Sequence, residues 1–468
     1  MRSTDFSPVA ASAEVHVVGA GLVGSLAALG LAKMGYQVSI YDRRPDPGQT
    51  RPDQGKSVNV VLSARGWNSL EALGIQAPVR EHCTPLVGRA VHAWRGGRSE
   101  QAYGSNGEQI WCIERPVLHQ LLAKELSAEN NVSVHWNQRL IGAELDEKRL
   151  YFRDERENTA GATRRVEVRY RHLLGTDGAF SQVRSQLLHR SFDFQQAFLE
   201  VAYKELRFAS AEAGGPKLAR DRFHVWPRGR LFLGAFPNRD GSFTASLFLP
   251  REGFPSFKSV RSEDDFAGLL RTFFPDLEPW LPELSTQYLQ NPASPMVTMR
   301  CNPWVFQDEL ALLGDAAHAV VPFLGQGMNC GFEDAFALCR ALSIHQHDWG
   351  RALAAYQSER KANADALARM SLAHYAHLNQ SEDLRAGLRT RLGEALDRLA
   401  PHRFRPLYEL VAFSCAPYAT VERLSELREE LIETLMTDPA FSDGWPADAD
   451  ERILTHIDSP ALPERTNG

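Results

Sequence analysis

A glycine-rich turn near the start of the chain constrains its fold more than any other feature. Residues 19–24 read Gly-Ala-Gly-Leu-Val-Gly, after the apolar segment 15–18 and before a stretch rich in Ala and Leu. In such a turn the first glycine permits the bend, the second lets a pyrophosphate approach the backbone, and the third lets a helix pack closely on a strand. The N-terminus of that helix offers free N–H groups to phosphate. The turn therefore predicts a βαβ unit that binds a dinucleotide.

Asp42 follows the second predicted strand of this unit, residues 37–41. A carboxylate at that place accepts hydrogen bonds from an adenine ribose. Arg43 and Arg44 come next and could instead bind the 2′-phosphate of NADP, but the carboxylate before them would repel that phosphate. We therefore expect a ribose without a 2′-phosphate, with Arg43 near it. The motif alone leaves the choice between FAD and NAD(P) open.

Length, charge and cysteine content exclude several classes of protein. A chain of 468 residues suits two or three domains, and a net charge of −6 argues against a general nucleic-acid binder. The six cysteines stand singly, so we expect neither a disulfide framework nor a metal site, and we expect a reducing, cytoplasmic location. Four glycines interrupt the apolar stretch 15–34, so we expect no signal peptide and no transmembrane anchor.

Hydrophobic periodicity divides the chain into regions. The Asp240–Gly241 step lies between the strand-like segments 231–236 and 243–249 and predicts an antiparallel hairpin. We predict an α/β fold with a discontinuous Rossmann-type domain, an inserted antiparallel-sheet domain and a C-terminal helical part. Helical patterns occupy residues 22–34, 64–73, 116–128, 262–274 and 350–376. The predicted boundaries are 1–75, 105–185 and 295–350 for the first domain, 76–104 and 186–294 for the second, and 351–468 for the third.

Two further turns contain glycine and aspartate. Residues 175–178 read Gly-Thr-Asp-Gly after a predicted strand, and residues 314–318 read Gly-Asp-Ala-Ala-His after another. Pro322 and the run Gly-Gln-Gly-Met-Asn at 325–329 follow the second turn. An aspartate at a strand end can bind a ribityl hydroxyl, and a glycine-rich turn directs N–H groups towards anionic oxygens. His318 could act as a general base there, but we favour a packing role.

The three motifs, in this order and spacing, resemble those of the single-component FAD-dependent aromatic hydroxylases of the p-hydroxybenzoate hydroxylase type. The resemblance implies an FAD-binding domain, an inserted substrate domain, and NADPH and O₂ as co-substrates. In that family the turn at Asp177 contacts both FAD and NADPH, and Arg115 contacts FAD. The FAD-binding residues implied are Gly19, Gly21, Leu22, Val23, Gly24, Asp42, Arg43, Arg115, Asp177, Asp315, Pro322, Gly325, Gln326, Gly327, Met328 and Asn329.

Longer segments are most similar to the kynurenine 3-monooxygenase group of this family; they include residues 55–60, 88–92, 203–206, 224–229, 321–329 and 403–408. In that group the residues matching Arg89 and Tyr103 bind the carboxylate of a small aromatic substrate, and the one matching Tyr408 helps to close the pocket. The resemblance implies ring hydroxylation of L-kynurenine through a flavin C4a-hydroperoxide, with no catalytic side chain assigned. The expected substrate-binding residues are Arg89, Tyr103, Phe243, Phe323, His374 and Tyr408.

The sequence departs from the group at three places. His374 stands where the group has a substrate-binding Asn, as a substrate contact or as a simple polar replacement. Leu324 stands where the group has His or Phe, and residues 55–60 read Gly-Lys-Ser-Val-Asn-Val. Because of these changes, the substrate could instead be a related aromatic acid, such as a substituted kynurenine or an anthranilate. A non-catalytic flavoprotein and an NAD-dependent dehydrogenase are less favoured, and the oligomeric state is open.

Overall fold

The computed structural model describes residues 13–49, 59–94, 96–104, 107–156, 165–378, 384–401, 403–442 and 444–457. Most of the predicted segment 55–60 lies outside these residues. The strands are β1 (Glu14–Val18), β2 (Gln37–Tyr41), β3 (Asn59–Leu62), β4 (Thr84–Leu86), β5 (Gly88–His92), β6 (Arg98–Ala102), β7 (Ile110–Glu114), β8 (Val132–His135), β9 (Gln138–Glu144), β10 (Arg149–Asp154), β11 (Arg165–Arg169), β12 (His172–Gly175), β13 (Asp193–Phe208), β14 (Arg222–Arg228), β15 (Leu231–Pro237), β16 (Phe243–Pro250), β17 (Ser294–Asn302), β18 (Val305–Phe306) and β19 (Leu310–Leu312).

Helices cover the first sheet and form most of the C-terminal part. They are α1 (Leu22–Lys33), α2 (Ala64–Ala72), α3 (Gln76–Arg80), α4 (Arg115–Ala128), α5 (Gln182–Ser185), α6 (Glu263–Phe273), α7 (Leu281–Gln290), α8 (Asp315–His318), α9 (Gly327–Ile344), α10 (Trp349–Leu378), α11 (Leu384–Leu399), α12 (Leu407–Phe413), α13 (Tyr418–Thr437), α14 (Pro439–Ser442) and α15 (Ala449–Ile457). Short 3₁₀ turns occupy Ala211–Ala213, Pro275–Trp280 and Pro322–Leu324.

A six-stranded sheet in the order β18-β19-β12-β1-β2-β8 forms the first domain. Its pairs are parallel except for the edge strand β18. Parallel strands are buried on both faces, which explains why residues 15–18 of β1, His16 included, are all buried. Because β1 has β2 on one side and β12 on the other, its carboxyl end lies at the switch point where such sheets bind ligands.

A seven-stranded sheet, β17-β13-β16-β15-β14-β5-β6, forms the second domain. All its pairs are antiparallel except β14 with β5. One face packs on α6 and α7 in a core that includes Trp226, Phe266 and Tyr288. The other face carries Phe223 and Phe236, which pack with Leu86 of β4 and Ile110 of β7. Because β17 pairs with β13, this sheet extends to Asn302, beyond the residue 294 at which the sequence ended the inserted domain.

The remaining elements connect and cover these sheets. A three-stranded sheet, β3-β7-β4, lies between the two domains, and β9-β10-β11 form a separate antiparallel sheet. In the C-terminal part α10 packs against α9 and α13. A core of its own includes Leu392, Leu431 and Ile453.

The predicted elements correspond closely to the observed ones. The βαβ unit, the hairpin at Gly241 and the long helix 349–378 are confirmed. Gly241 has a φ of +81°, as its turn requires. Among the described residues, no helix combines the length and the apolar character that crossing a bilayer requires.

Candidate active site

The glycine turn after β1 has the geometry of a pyrophosphate cradle. Gly19 has a φ of +106°, and a Cβ on Gly24 would lie 1.9 Å from the carbonyl oxygen of Gly19. No side chain caps the start of α1, so its first N–H groups remain available to an anion. Leu22 and Val23 are the first residues of this helix. The cradle therefore fits the diphosphate of FAD.

Asp42 lies at the end of β2, where the ribose of such a dinucleotide would be. Its carboxylate accepts hydrogen bonds from Nε, Nη2 and the backbone N–H of Arg44, at 2.9, 2.7 and 2.8 Å. Burial raises the pKa of Asp42, but the bonds from Arg44 outweigh this and hold the pKa below its usual value. Arg43 and Arg44 are both exposed, and it is Arg44 that lies beside the cradle, so the contact of Arg43 with the dinucleotide stays a prediction.

The turn at 175–178 is tied to the cradle by an interaction that the sequence did not reveal. The hydroxyl of Thr176 donates to the carbonyl oxygens of Val18 and Gly19, at 3.0 and 2.7 Å. The carboxylate of Asp177 accepts from Ser181 Oγ at 2.5 Å and from two N–H groups at the start of α5. In this structure Asp177 therefore caps α5, and its contact with a cofactor stays a prediction.

Asp315 and Arg115, both expected to contact FAD, lie close enough to each other to interact electrostatically. Asp315 begins α8 and is open to the cleft, while protein surrounds it on its other sides. This loss of solvent raises the pKa of Asp315, and the positive charge of Arg115 opposes the rise. Arg115 begins α4, is exposed, and has no hydrogen-bond or ion-pair partner among the described residues. The guanidinium of Arg115 can bind a phosphate, and the nearby carboxylate of Asp315 can accept from a hydroxyl. The pair therefore suits a ligand that carries both groups.

Residues 322–329, which we call the 322–329 loop, comprise a 3₁₀ turn and the start of α9, and they are fixed to the end of β3. Asn329 Oδ1 accepts from the N–H of Ser63 at 3.0 Å, and its Nδ2 donates to Val61 O at 2.8 Å. Gly325 has a φ of +65°, which favours glycine. Pro322, Gly327 and Met328 lie in the same loop, so its predicted FAD contacts come from one continuous segment.

A buried ion network joins α9 and α10 to the turn at residues 314–318. Asp334 on α9 accepts from the Gly314 N–H at 3.0 Å, from His318 Nε2 at 2.5 Å and from Arg360 Nε at 2.8 Å. Burial alone would raise the pKa of Asp334, but the charges of His318 and Arg360 lower it to about 2. Arg360 also pairs with Glu333 at 3.1 Å. His318 thus bonds to a buried carboxylate, which favours the packing role.

The clearest candidate for a substrate clamp is Arg89 on β5. Its guanidinium lies 5.6 Å from the ring centre of Tyr103 and 4.8 Å from that of Tyr408. The two rings stack with centroids 5.3 Å apart. Arg89 is half-buried and has no carboxylate partner among the described residues. A guanidinium in such a place is complementary to a carboxylate on a ligand.

Both tyrosines remain neutral hydroxyl donors over ordinary pH values. Burial and the neighbouring Tyr408 raise the pKa of Tyr103 well above its usual value, although Arg89 opposes the rise. Burial likewise raises the pKa of Tyr408 to about 12. The structure therefore brings together three of the six expected substrate residues as one positive, donor-rich corner.

Phe323 and His374, two other expected substrate-binding residues, lie in a second group of side chains, apart from Arg89. Phe323 stacks on Tyr375 with centroids 4.6 Å apart and contacts Phe248 at 5.8 Å. His374 is half-buried and adjoins Tyr375 on α10. The stacking of Tyr375 thus places this part of α10 beside the 322–329 loop.

The structure does not bring Phe243 to the other expected residues. Successive side chains of a strand point to opposite faces, and Phe243 lies in the core against His224, with 1% of its surface exposed. The adjacent Thr244 faces the clamp side instead. On that side Phe223 pairs with Arg89, and Phe236 stacks on Phe223 at 3.9 Å. Alternation along paired strands could have identified them, but only once the pairing was known.

Comparison with known proteins establishes the class. A family model described as "FAD binding domain" matches residues 12–236 and 281–371. The fold and the site together define a flavin-dependent aromatic monooxygenase that uses FAD.

More specifically, the chain belongs to the kynurenine 3-monooxygenase family. It is 35% identical to the kynurenine 3-monooxygenase of Christiangramia forsetii over 95% of this chain and 98% of that protein. It is 39% identical to that of Salinispora tropica over 86% of this chain and 89% of that protein. Together with the motifs at Gly19 and Gly314, these alignments support the family assignment along the chain.

Solved structures share the fold. The 2-methyl-3-hydroxypyridine-5-carboxylic acid oxygenase superposes with a TM-score of 0.63 at 21% identity, covering 79% of this chain and 93% of that one. PqsL of Pseudomonas aeruginosa, solved in complex with 2-aminobenzoylacetate, gives the same TM-score and identity and covers 79% and 97%.

Proposed function

We propose that this enzyme hydroxylates the aromatic ring of L-kynurenine to give 3-hydroxykynurenine, with NADPH and O₂ as co-substrates. The observation that carries the proposal is the half-buried guanidinium of Arg89, which has no carboxylate partner in the described part of the chain and faces Tyr103 and Tyr408. The family relationship supports the same substrate.

Arg89 binds the amino-acid carboxylate of the substrate through paired N–H donors. The hydroxyls of Tyr103 and Tyr408 remain protonated, so they can donate to the same carboxylate. The stacked rings of Phe223 and Phe236 continue from this corner along the sheet face. They offer an apolar surface to the aryl part of the substrate and exclude water from it.

Bound FAD supplies the redox chemistry, which activates O₂ for transfer of one oxygen atom to an electron-rich ring. The residues that would hold it are those of the glycine cradle, Asp42, Arg115, Asp315 and the 322–329 loop. The amino group on the substrate ring makes that ring electron-rich, so the protein needs no strong base. Its residues act by positioning the ring and excluding water.

The test is turnover by the purified holoenzyme. We expect L-kynurenine to accelerate NADPH oxidation and to yield a product that has gained one oxygen atom, identified by mass spectrometry against authentic 3-hydroxykynurenine. NADPH oxidation that L-kynurenine leaves unchanged, with no hydroxylated product, would contradict the proposal.

A second candidate substrate is a related aromatic acid, such as a ring-substituted kynurenine or an anthranilate. The observation that favours it is His374, which adjoins the Phe323–Tyr375 wall in place of the family's Asn. A panel of such acids, assayed for accelerated NADPH oxidation and for product, separates the two. If a substituted kynurenine gives the highest kcat/KM and the His374→Asn variant restores preference for L-kynurenine, the second candidate is correct.

A further inference from the structure

Besides the stacking of Tyr375 on Phe323, the C-terminal part reaches the 322–329 loop through a buried hydroxyl. Tyr418, the first residue of α13, donates from its hydroxyl to Oε1 of Gln326 at 2.9 Å. Tyr418 is fully buried and Gln326 is 2% exposed. Water cannot replace this bond, because neither side chain reaches solvent.

The side-chain amide of Gln326 is held from both sides. Its Oε1 also accepts from Ser63 Oγ at 3.3 Å, and its Nε2 approaches Leu324 O at 3.4 Å. Ser63 precedes α2 in the FAD-binding domain, whereas Tyr418 belongs to the C-terminal part. The amide therefore joins the two parts of the chain at the loop that faces the flavin.

Tyr418 is in turn held in place by Arg65 on α2. The guanidinium of Arg65 lies 3.8 Å above the Tyr418 ring, pairs with Glu333 at 2.9 Å, and donates to Ala416 O. Arg65 is 1% exposed, so this contact is desolvated and correspondingly strong. Burial raises the pKa of Tyr418 well above its usual value, so the phenol stays a donor.

We propose that Tyr418 is a positioning residue for the flavin: its hydroxyl fixes the Gln326 amide and thereby the backbone of the 322–329 loop. The inference rests on FAD binding at this loop and is independent of the substrate. C-terminal helix packing is thus coupled to flavin binding through Gln326, with Arg65 supporting the phenol ring.

The test compares Tyr418→Phe with Tyr288→Phe. Tyr288 is also buried, and its hydroxyl donates to a backbone oxygen, Val260 O, at 3.0 Å in the core of the inserted domain. We expect Tyr418→Phe to lower the affinity for FAD about fivefold to tenfold. The change is measured from the fluorescence of the flavin that the holoenzyme releases on dilution. We also expect a changed circular dichroism of the bound flavin and more hydrogen peroxide per NADPH. Tyr288→Phe should leave all three unchanged.

A Gln326→Met background shows whether the effect passes through the amide. Once the acceptor oxygen is removed, Tyr418→Phe should cause no further loss of FAD affinity. The inference is overturned if Tyr418→Phe keeps wild-type FAD affinity and flavin dichroism, or if its effect is the same in the Gln326→Met background. Failure of the proposed substrate would be seen separately, as wild-type holoenzyme that binds FAD but does not respond to L-kynurenine.

Discussion

Tyr103 and Tyr408 stack with their ring centroids 5.3 Å apart, and the guanidinium of Arg89 faces both rings. Tyr103 follows the edge strand β6, whereas Tyr408 lies in α12 of the C-terminal part. The carboxylate clamp is therefore complete only when α12 is docked on the inserted sheet. The clamp thus lies apart from the glycine cradle at residues 19–24, which belongs to the first domain.

Replacing Arg89 should separate these two kinds of binding. We expect Arg89→Ala to retain FAD but to raise the KM for L-kynurenine roughly 10- to 100-fold, because a charged hydrogen-bonded pair contributes about 1.5–3 kcal/mol. Kinetics of substrate-dependent NADPH oxidation measure the change. Arg80→Ala is the matched control, since Arg80 also lies over aromatic rings, those of Trp67 and Trp111. An unchanged KM in Arg89→Ala would exclude the clamp.

Replacing Gly24 should remove the cofactor. A Cβ there would lie 1.9 Å from Gly19 O and 2.4 Å from Thr176 Oγ1, so the turn must move and the cradle opens. We expect Gly24→Ala to be purified without FAD, as the ratio of absorbance in the flavin and protein bands will show. Gly268→Ala is the control, because nothing lies within 4 Å of a Cβ at that helical position. It should keep FAD and gain about 0.5–1 kcal/mol of stability. A flavin-loaded Gly24→Ala protein would contradict the cradle.

Asp334 should contribute to stability in a defined range of pH. Its pKa is about 2 in the folded protein against 3.8 as the ordinary value. The folded state binds protons less readily than the unfolded state, so this contribution is present above about pH 4 and is lost as the pH falls towards 2. We expect Asp334→Asn to lower the free energy of unfolding by about 3–5 kcal/mol, because Arg360 is left buried with one carboxylate partner fewer.

Urea unfolding at neutral and acidic pH tests this. The variant should lose the acid-dependent component that the wild type shows. Glu252→Gln is the control, because Glu252 pairs with Lys258 at 3.2 Å on the exposed surface and should change stability by less than about 1 kcal/mol. Equal losses in both variants would show that the buried network contributes nothing specific.

Tyr408 should make the free energy of unfolding depend on pH in the alkaline range. Its pKa is about 12 when folded against an ordinary value of 10, so between these values the folded state holds a proton that the unfolded state has released. The free energy of unfolding should therefore fall as the pH rises above about 10, by about 1.4 kcal/mol per pH unit for this residue, and be unaffected below that. Tyr408→Phe should show a shallower fall in unfolding experiments at about pH 9 and about pH 11. An identical slope would assign the alkaline loss to other groups.

The sequence predicted those features that depend on local pattern. The cradle at residues 19–24 combines its turn, helix and strand within a short segment, so backbone geometry follows from residue type. The strand β2 and the hairpin at Gly241 were likewise predictable. The ion pair of Arg44 with Asp42 was not predictable, because either following arginine can reach that carboxylate and side-chain geometry decides between them.

Other features depend on contacts between distant segments. Phe243 and Thr244 differ by one position, and only the pairing register shows which of them faces Arg89. The bond between Tyr418 and Gln326 joins a C-terminal helix to a loop far earlier in the chain, with no spacing that could reveal it. Such contacts arise from packing of whole domains, for which periodicity carries no signal.

The stacked phenylalanines beside the clamp also bear on how this enzyme can be redesigned. Gly19 and Gly24 tolerate no side chain because backbone atoms lie too close, whereas Phe223, Phe236 and Thr244 already carry side chains on the strand face beside Arg89. Variants substituted only at those three positions should therefore differ in the aromatic substrate they accept, while each still binds FAD. Substrate specificity can thus be changed without altering the residues that bind FAD.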